Sequence, residues 1–196
     1  MSFHLLVPGL HARLPEWQRS YGWSPQAAGL QKLLSGAVAT PGQGGASVVA
    51  AGLLGVTGTA AGFRRRAHGF ADESRWLCAD PVHLRADVNS AILVEAEHLA
   101  LEEAEARALA ADLEAMFAGD GWRFEVVDAA HWYALPPEAL APPELPGTRE
   151  TAGADVGPHF RNADQSVEWK RFYAELQMVL AQSETNRRRE AQGMTL

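Results

Sequence analysis

Apolar residues recur with helical spacing in two long stretches of the chain. Between residues 101 and 117, Leu109, Leu113, Met116 and Phe117 recur at helical spacing, and glutamates crowd the first turns. From Trp169 to Leu180 a second apolar stripe predicts a long helix, for which Asp164 is the expected N-cap. Each pattern predicts an amphipathic helix that packs its single apolar face on another element.

Short apolar runs between these helices predict β-strands. The expected strands are Phe3–Val7, 75–80, 82–84, 91–94, 122–127 and 131–135, the last two as a hairpin. A small-residue helix is expected from Ser47 to Leu54, and 58–70 is expected to be irregular. This order predicts a mixed α/β, α+β-like protein with an antiparallel sheet covered by helices.

The domain organisation predicted from this order has two parts. Residues 1–70 form an N-terminal α/β segment and residues 71–196 an α+β region, and together they are expected to make one compact unit. The length of 196 residues and the hydrophobic share of 47% supply a sizeable core.

Composition excludes several classes of function. With 17 Lys+Arg and 24 Asp+Glu the net charge is −7, which argues against a nucleic-acid partner, as does the lack of a helix-turn-helix pattern. The single Cys78 excludes an internal disulfide and a Cys-rich zinc site. No apolar stretch approaches about 20 residues, so we expect a cytoplasmic protein without a membrane partner.

The segment from Asp80 to Asp87 carries the densest chemistry in the chain. On a strand, His83, Arg85 and Asp87 alternate onto one face. There the histidine could bind a metal or carry protons beside carboxylates, and Arg85 could hold an anion. The alternative is an internal network of salt bridges and hydrogen bonds at a sheet edge.

Two further stretches carry candidate groups. Ser47 follows a glycine-rich loop, but no base or metal ligand adjoins it in sequence, as a nucleophile would need. Asn186 and Arg189, the last of the three consecutive arginines that follow Asn186, could bind an acidic ligand. A basic last turn is also what a helix C-terminus favours, so both interpretations stay open.

A family resemblance joins these pieces. The stretch from Trp76 to Asp87 resembles the W-x-x-A-D-P-V-H-L-x-x-D motif of bacterial RpfE-type regulatory proteins, which are similar to cofactor-independent phosphoglycerate mutases. The pattern Ser183-x-x-Asn186-x-x-Arg189-x-x-x-Gly193 is similar to a stretch near the end of archaeal-type mutases. The resemblance runs through nearly the whole chain.

The resemblance also shows what is missing for catalysis. Gly9 stands where these mutases carry a metal-binding Asp. Ala46, or Ser47 with a one-residue gap, stands at the nucleophile position, and the Asp and Asn that follow it in the mutases are absent. The sequence ends at Leu196, without the C-terminal half that supplies the other metal ligands of the mutases. Two-metal phosphoryl transfer needs those ligands.

We therefore expect a non-catalytic regulatory or scaffold protein, a pseudoenzyme derived from a mutase-like ancestor. It would bind an unidentified small molecule or protein, with no cofactor and no metal. The expected ligand-binding residues are Asp80, His83, Arg85, Asp87, Asn186 and Arg189. The alternative is a metal-dependent phosphoglycerate mutase or a related phosphate-transferring enzyme, in which Ser47 would be the nucleophile.

Overall fold

The computed structural model describes residues 18–20, 22, 32, 35, 46–71, 75–86, 90–142, 147–158 and 166–194. The chain divides into two compact units, Met1–Thr57 and Gly58–Leu196, and each is described by itself. Helices and antiparallel sheets are both present, which confirms the mixed α/β class. The predicted strand Phe3–Val7 lies outside the described residues.

The described helices and strands are numbered in chain order. The helices are α1 Ala46–Leu53, α2 Ala60–Ala67, α3 Glu103–Phe117, α4 Thr148–Thr151, α5 Val167–Gln182 and α6 Glu184–Ala191. The strands are β1 Leu77–Cys78, β2 His83–Ala86, β3 Ala91–Val94, β4 Arg123–Val126 and β5 Trp132–Leu135. Within the described ranges, no helix combines the length and the apolar character needed to cross a bilayer.

In the first unit, α1 agrees with the predicted small-residue helix to within one residue at each end. In the second unit, β3 and the β4–β5 hairpin are also confirmed. Helix α5 begins after Ser166, whose hydroxyl accepts a hydrogen bond from the Trp169 N–H at 3.3 Å. The predicted cap, Asp164, lies outside the described residues.

The strands do not share one sheet, which corrects the sequence-based prediction. Strands β1, β5 and β4 form an antiparallel sheet in that order, and β2 pairs with β3 in a separate two-stranded ribbon. The Ala79 N–H still bonds to the Trp132 carbonyl, at 3.0 Å. Pro81 follows and has no N–H with which to continue the ladder, so the chain leaves the sheet there.

The prediction that 58–70 is irregular is wrong, because residues 60–67 form helix α2. Thr59 caps this helix, accepting a hydrogen bond from the Gly62 N–H at 3.0 Å. The buried face of α2 consists of Ala61 and Arg65, four positions apart. An arginine on the buried face conceals the apolar periodicity by which helices are found in sequences.

The main core lies on one face of the three-stranded sheet. Trp132 and Ala134 of β5 pack there against the predicted apolar faces of α3 and α5. Trp122 stacks on Phe172 with 3.8 Å between ring centroids. Both long helices therefore bury most of their apolar stripes around the sheet, as predicted. Met116 of the predicted stripe is the exception and is 55% exposed.

We expect Phe172→Ala to lower the free energy of unfolding by about 3 to 5 kcal/mol, because it empties a closely packed aromatic site. Phe172 is 8% exposed. Met178→Ala, on the same helix but 56% exposed, is the matched control and should change it by less than about 0.5 kcal/mol. Urea unfolding followed by circular dichroism measures both, and equal effects would contradict this core.

Candidate functional site

The second face of the three-stranded sheet gathers polar side chains beneath α2. Because side chains alternate along a strand, Tyr133 lies on the face opposite Trp132 and Ala134. Cys78 and Glu125 are the cross-strand neighbours of Tyr133 and share its face. Ala61 of α2 packs against Tyr133 and Trp76 on this side. The helix thus brings its arginines over the polar residues of the strands.

Arg64 and Asp80 form the centre of this cluster. The two terminal nitrogens of Arg64 donate to the two Asp80 oxygens at 2.5 and 2.8 Å, and Nη2 also donates to the Trp132 carbonyl at 2.8 Å. Arg64 Nε donates to Tyr133 Oη at 3.1 Å. The Trp132 N–H donates to Asp80 Oδ1 at 3.0 Å. One ion pair therefore joins α2, the segment after β1 and strand β5.

This pair is largely withdrawn from solvent. The side chains of Arg64 and Asp80 are 22% and 12% exposed. Burial alone would lower the pKa of Arg64, but the hydrogen bonds and charge of Asp80 outweigh it and hold the pKa above its ordinary value. All three guanidinium nitrogens of Arg64 and both carboxylate oxygens of Asp80 make hydrogen bonds within the protein.

Arg65 is held in an aromatic cage next to this pair. Its side chain is 2% exposed, and Nη1 donates to Glu125 Oε2 at 2.6 Å. The guanidinium carbon lies 4.1 Å from the ring centre of Trp76, with Phe70 and Tyr133 also within cation–π range. The rings and the carboxylate together stabilise a cation that could not otherwise be buried.

A row of polar groups continues from Tyr133 towards solvent. Tyr133 Oη is 3.0 Å from His68 Nδ1, and the His68 ring meets the edge of the His131 ring at a centroid distance of 5.3 Å. His131 Nδ1 lies 2.9 Å from both Asp128 oxygens. Although its slight burial acts in the opposite direction, the hydrogen bond to His131 lowers the pKa of Asp128. The outer end of the row, at His131 and Asp128, is exposed to solvent, whereas Arg64 holds the inner end by its hydrogen bond to Tyr133.

The structure separates the predicted binding residues of the Asp80–Asp87 segment. Asp80 belongs to the network under α2, where it connects elements of the fold. His83 and Arg85 lie on β2 and share one face of the ribbon, as their alternation predicts. Asp87 lies outside the described residues.

Asn186 and Arg189 are engaged in contacts within the protein. Arg189 is 1% exposed and donates to Glu105 at 2.7 Å and to the Leu99 carbonyl at 2.6 Å. Asn186 Nδ2 donates to the Leu180 carbonyl at 2.8 Å. These bonds attach α6 to α3 and α5. Holding these helices together is by itself a sufficient reason for an asparagine at 186 and an arginine at 189. The predicted ligand-binding role of the two residues stays a prediction.

Arg85 differs from these buried groups. Its side chain is exposed, and the guanidinium makes no hydrogen bond or ion pair within the described part of the chain. Ile92, half-buried, is its cross-strand neighbour on β3. The ribbon therefore presents a cation beside apolar surface.

Ser47, the nucleophile of the enzyme alternative, lies in the first turn of α1 in the first unit. Among the residues that the structure describes, no group of three or more His, Cys, Asp or Glu side chains is placed to hold a metal ion.

The sequence interpretation missed Arg64, Arg65 and His68, because 58–70 showed no recognisable periodicity. One signal was available: several cationic residues follow a Gly-Thr pair that is suited to cap a helix. Tyr133 falls within the predicted hairpin strand 131–135, but that prediction gave its hydroxyl no role. The Tyr133 side chain does pack in the hairpin, but its hydroxyl is a member of the polar row.

We expect Asp80→Asn to lower the free energy of unfolding by about 2 to 3 kcal/mol, because it leaves the mostly buried Arg64 without its counter-charge. The matched control is Glu175→Gln, which makes the same change in the Arg171–Glu175 pair, where Arg171 is 75% exposed. This control should cost less than about 1 kcal/mol. Chemical denaturation of both variants tests the difference, and a cost of Asp80→Asn no larger than that of the control would contradict the central role of the pair.

Cys78 provides a second test of the same environment. Cys78 is exposed at the surface. The protein atoms packed around it still displace part of its hydration, which raises the pKa of the thiol; Arg64 only partly opposes this rise, and Asp80 adds to it. Since the thiolate is the reactive form, iodoacetamide should alkylate the folded protein slowly at neutral pH, and the rate should rise at higher pH than for an ordinary thiol. The same chain unfolded in urea is the control, with a midpoint at about pH 8.5. A folded-state midpoint at or below that of the unfolded chain would refute this description of the site.

Comparison with known proteins finds no relative of this chain. No family model matches the chain, and neither a curated protein nor a solved structure matches it. The similarity to RpfE-type regulatory proteins and to the mutases therefore rests on the motifs themselves and stays a prediction.

Proposed function

We propose that this is a non-catalytic regulatory or scaffold protein of the cytoplasm, which binds a small molecule or a partner protein through the β2–β3 ribbon. The observation that carries the proposal is the state of Arg85. It is exposed, and its guanidinium has no partner among the described residues. A guanidinium in this state is available for two parallel hydrogen bonds to a carboxylate or a phosphate.

The other predicted binding residues that the structure describes support this choice by contrast. Asp80 is committed to Arg64 and to the Trp132 N–H. Arg189 is committed to Glu105 and to backbone carbonyls. Recruiting either residue for a ligand would break bonds that hold the fold, whereas Arg85 can bind a ligand at no such cost.

The absence of catalysis is supported by the sequence motifs. Gly9 replaces the metal-binding Asp of the mutases, and the carboxylate and amide that follow their nucleophile are missing after Ser47. A serine without those groups lacks both the activation and the charge stabilisation that phosphoryl transfer requires. The proposed protein is accordingly a binding module built on a mutase-like sequence.

We expect Arg85→Ala to weaken partner binding about tenfold or more, because a hydrogen-bonded charge contact contributes at least that much. Immobilised wild-type and variant proteins, exposed to a lysate of the source cells, allow every bound species to be quantified by mass spectrometry. Arg187→Ala is the matched control, since Arg187 is also exposed and has only a 3.8 Å contact to Glu184. It should retain the bound species.

Both variants should stay within about 1 kcal/mol of wild type in unfolding free energy, as surface changes do. Unchanged capture by Arg85→Ala, together with a large loss of stability, would assign Arg85 to the fold instead.

The enzyme alternative is tested with 3-phosphoglycerate in a coupled assay containing magnesium or manganese. We expect no turnover above background, and turnover that disappears in Ser47→Ala would overturn the non-catalytic proposal.

A further inference from the structure

The hydrogen bonds on the far side of β3 determine which way the backbone of β2 faces. The Leu93 N–H donates to the Ala154 carbonyl at 3.3 Å, and the Leu93 carbonyl accepts from the Gly153 N–H at 2.9 Å. The Ala91 carbonyl accepts from the Val156 N–H, also at 2.9 Å. Ala91 and Leu93 therefore direct their backbone groups away from β2 and towards residues 153–156.

Since backbone groups alternate in direction along a strand, Ile92 and Val94 direct theirs towards β2. Their register partners are Arg85 and His83, so these two residues of β2 are the ones bonded to β3. The N–H and carbonyl groups of Leu84 and Ala86 must then point to the outer edge. Within the described residues, no strand pairs with that edge.

The geometry points to this edge as a docking site for an extended acidic peptide from a partner protein, added as a third strand beside β2. This inference rests on the proposed function and specifies how the binding occurs. An added strand would receive its main-chain hydrogen bonds from Leu84 and Ala86, the groups that β3 leaves unused. It would convert the two-stranded ribbon into a three-stranded sheet.

The charge on the edge selects the occupant. In the added ladder Arg85 occupies a non-hydrogen-bonded position, where side chains on neighbouring strands approach most closely. A Glu or Asp on the added strand could form an ion pair with it there, and a Lys or Arg would be repelled. Antiparallel pairing of two copies about Arg85 would set two arginines opposite each other, which disfavours self-association through this edge.

The two sides of the added strand would meet different surfaces. A side chain beside Arg85 meets its guanidinium charge, and alternate side chains lie beside Leu84 and Ala86. The peptide we infer therefore alternates acidic residues with apolar, β-branched ones. The exposed Ala86 leaves room for a larger apolar side chain on the added strand.

The test uses the full chain and a phage-displayed library of random dodecapeptides. We expect enriched sequences to carry Glu or Asp alternating with β-branched residues. Ala86→Pro removes one outward N–H without touching the bonds to β3, since proline is tolerated on an edge strand. It should weaken binding of a synthetic enriched peptide about tenfold. Ala86→Ser keeps the N–H and should bind like wild type, and Arg85→Glu should reverse the preference to basic peptides.

Amide hydrogen exchange followed by NMR gives an independent readout, which holds even where Ala86→Pro impairs folding. In the free protein the Leu84 and Ala86 amides should exchange quickly and those of His83 and Arg85 slowly. The enriched peptide should slow the first pair. Slow exchange of Leu84 and Ala86 without peptide would mean that the edge is already covered and would overturn the inference.

Other results also decide against strand addition. No enrichment, enrichment of peptides without acidic residues, or dimerisation through this edge would each overturn it. Peptides that bind Ala86→Pro as they bind wild type would refute strand addition. If Arg85→Glu still weakens those peptides, the proposed binding role of Arg85 survives while the strand-addition mode fails.

Discussion

The ion pair between Arg64 and Asp80 joins helix α2 to two stretches of the sheet at once. The guanidinium reaches a carboxylate, a backbone carbonyl and a phenolic oxygen, which belong to two different stretches of chain. A short helix with a polar composition can cover a sheet face only if its charges are neutralised there. The pair supplies that neutralisation for Arg64, and the cage with Glu125 supplies it for Arg65.

This constraint divides the chemistry of the protein into two regions. Under α2 the charged side chains are paired within the protein, and these pairs hold the helix on the sheet. On the β2–β3 ribbon the exposed Arg85 side chain and the outward backbone groups of β2 have no partner among the described residues. Pro81 lies between the two regions and divides the segment that begins at Asp80. Asp80 itself is bound under α2, whereas Arg85, later in the same segment, is exposed on the ribbon.

The sequence predicts the elements whose signals are local. Helix α3, strand β3 and the β4–β5 hairpin follow from periodicity and turn residues within a few positions. The division into two sheets depends on which strands pair across long stretches of chain, and no local pattern encodes that. Helix α2 could not be found by hydrophobic periodicity because Arg65 occupies its buried face.

The candidate site divides in the same way. The shared face of His83 and Arg85 follows from alternation alone. The partner of Asp80 lies 16 residues away and the tyrosine that completes the contact lies 69 residues from Arg64, so only the folded chain brings them together. The same charged amino acids occur in buried ion pairs and in ligand-binding sites. The sequence therefore cannot assign Asp80 to one and Arg85 to the other until the burial of each side chain is known.

The contacts of Arg189 have a consequence for the order in which the protein can be assembled. The carbonyl of Leu99 is satisfied by a side chain that lies 90 residues later in the chain. During synthesis on the ribosome, the turn before α3 therefore emerges long before the arginine that holds it. The contact between Leu99 and Arg189 can therefore form only after nearly all of this unit has been made.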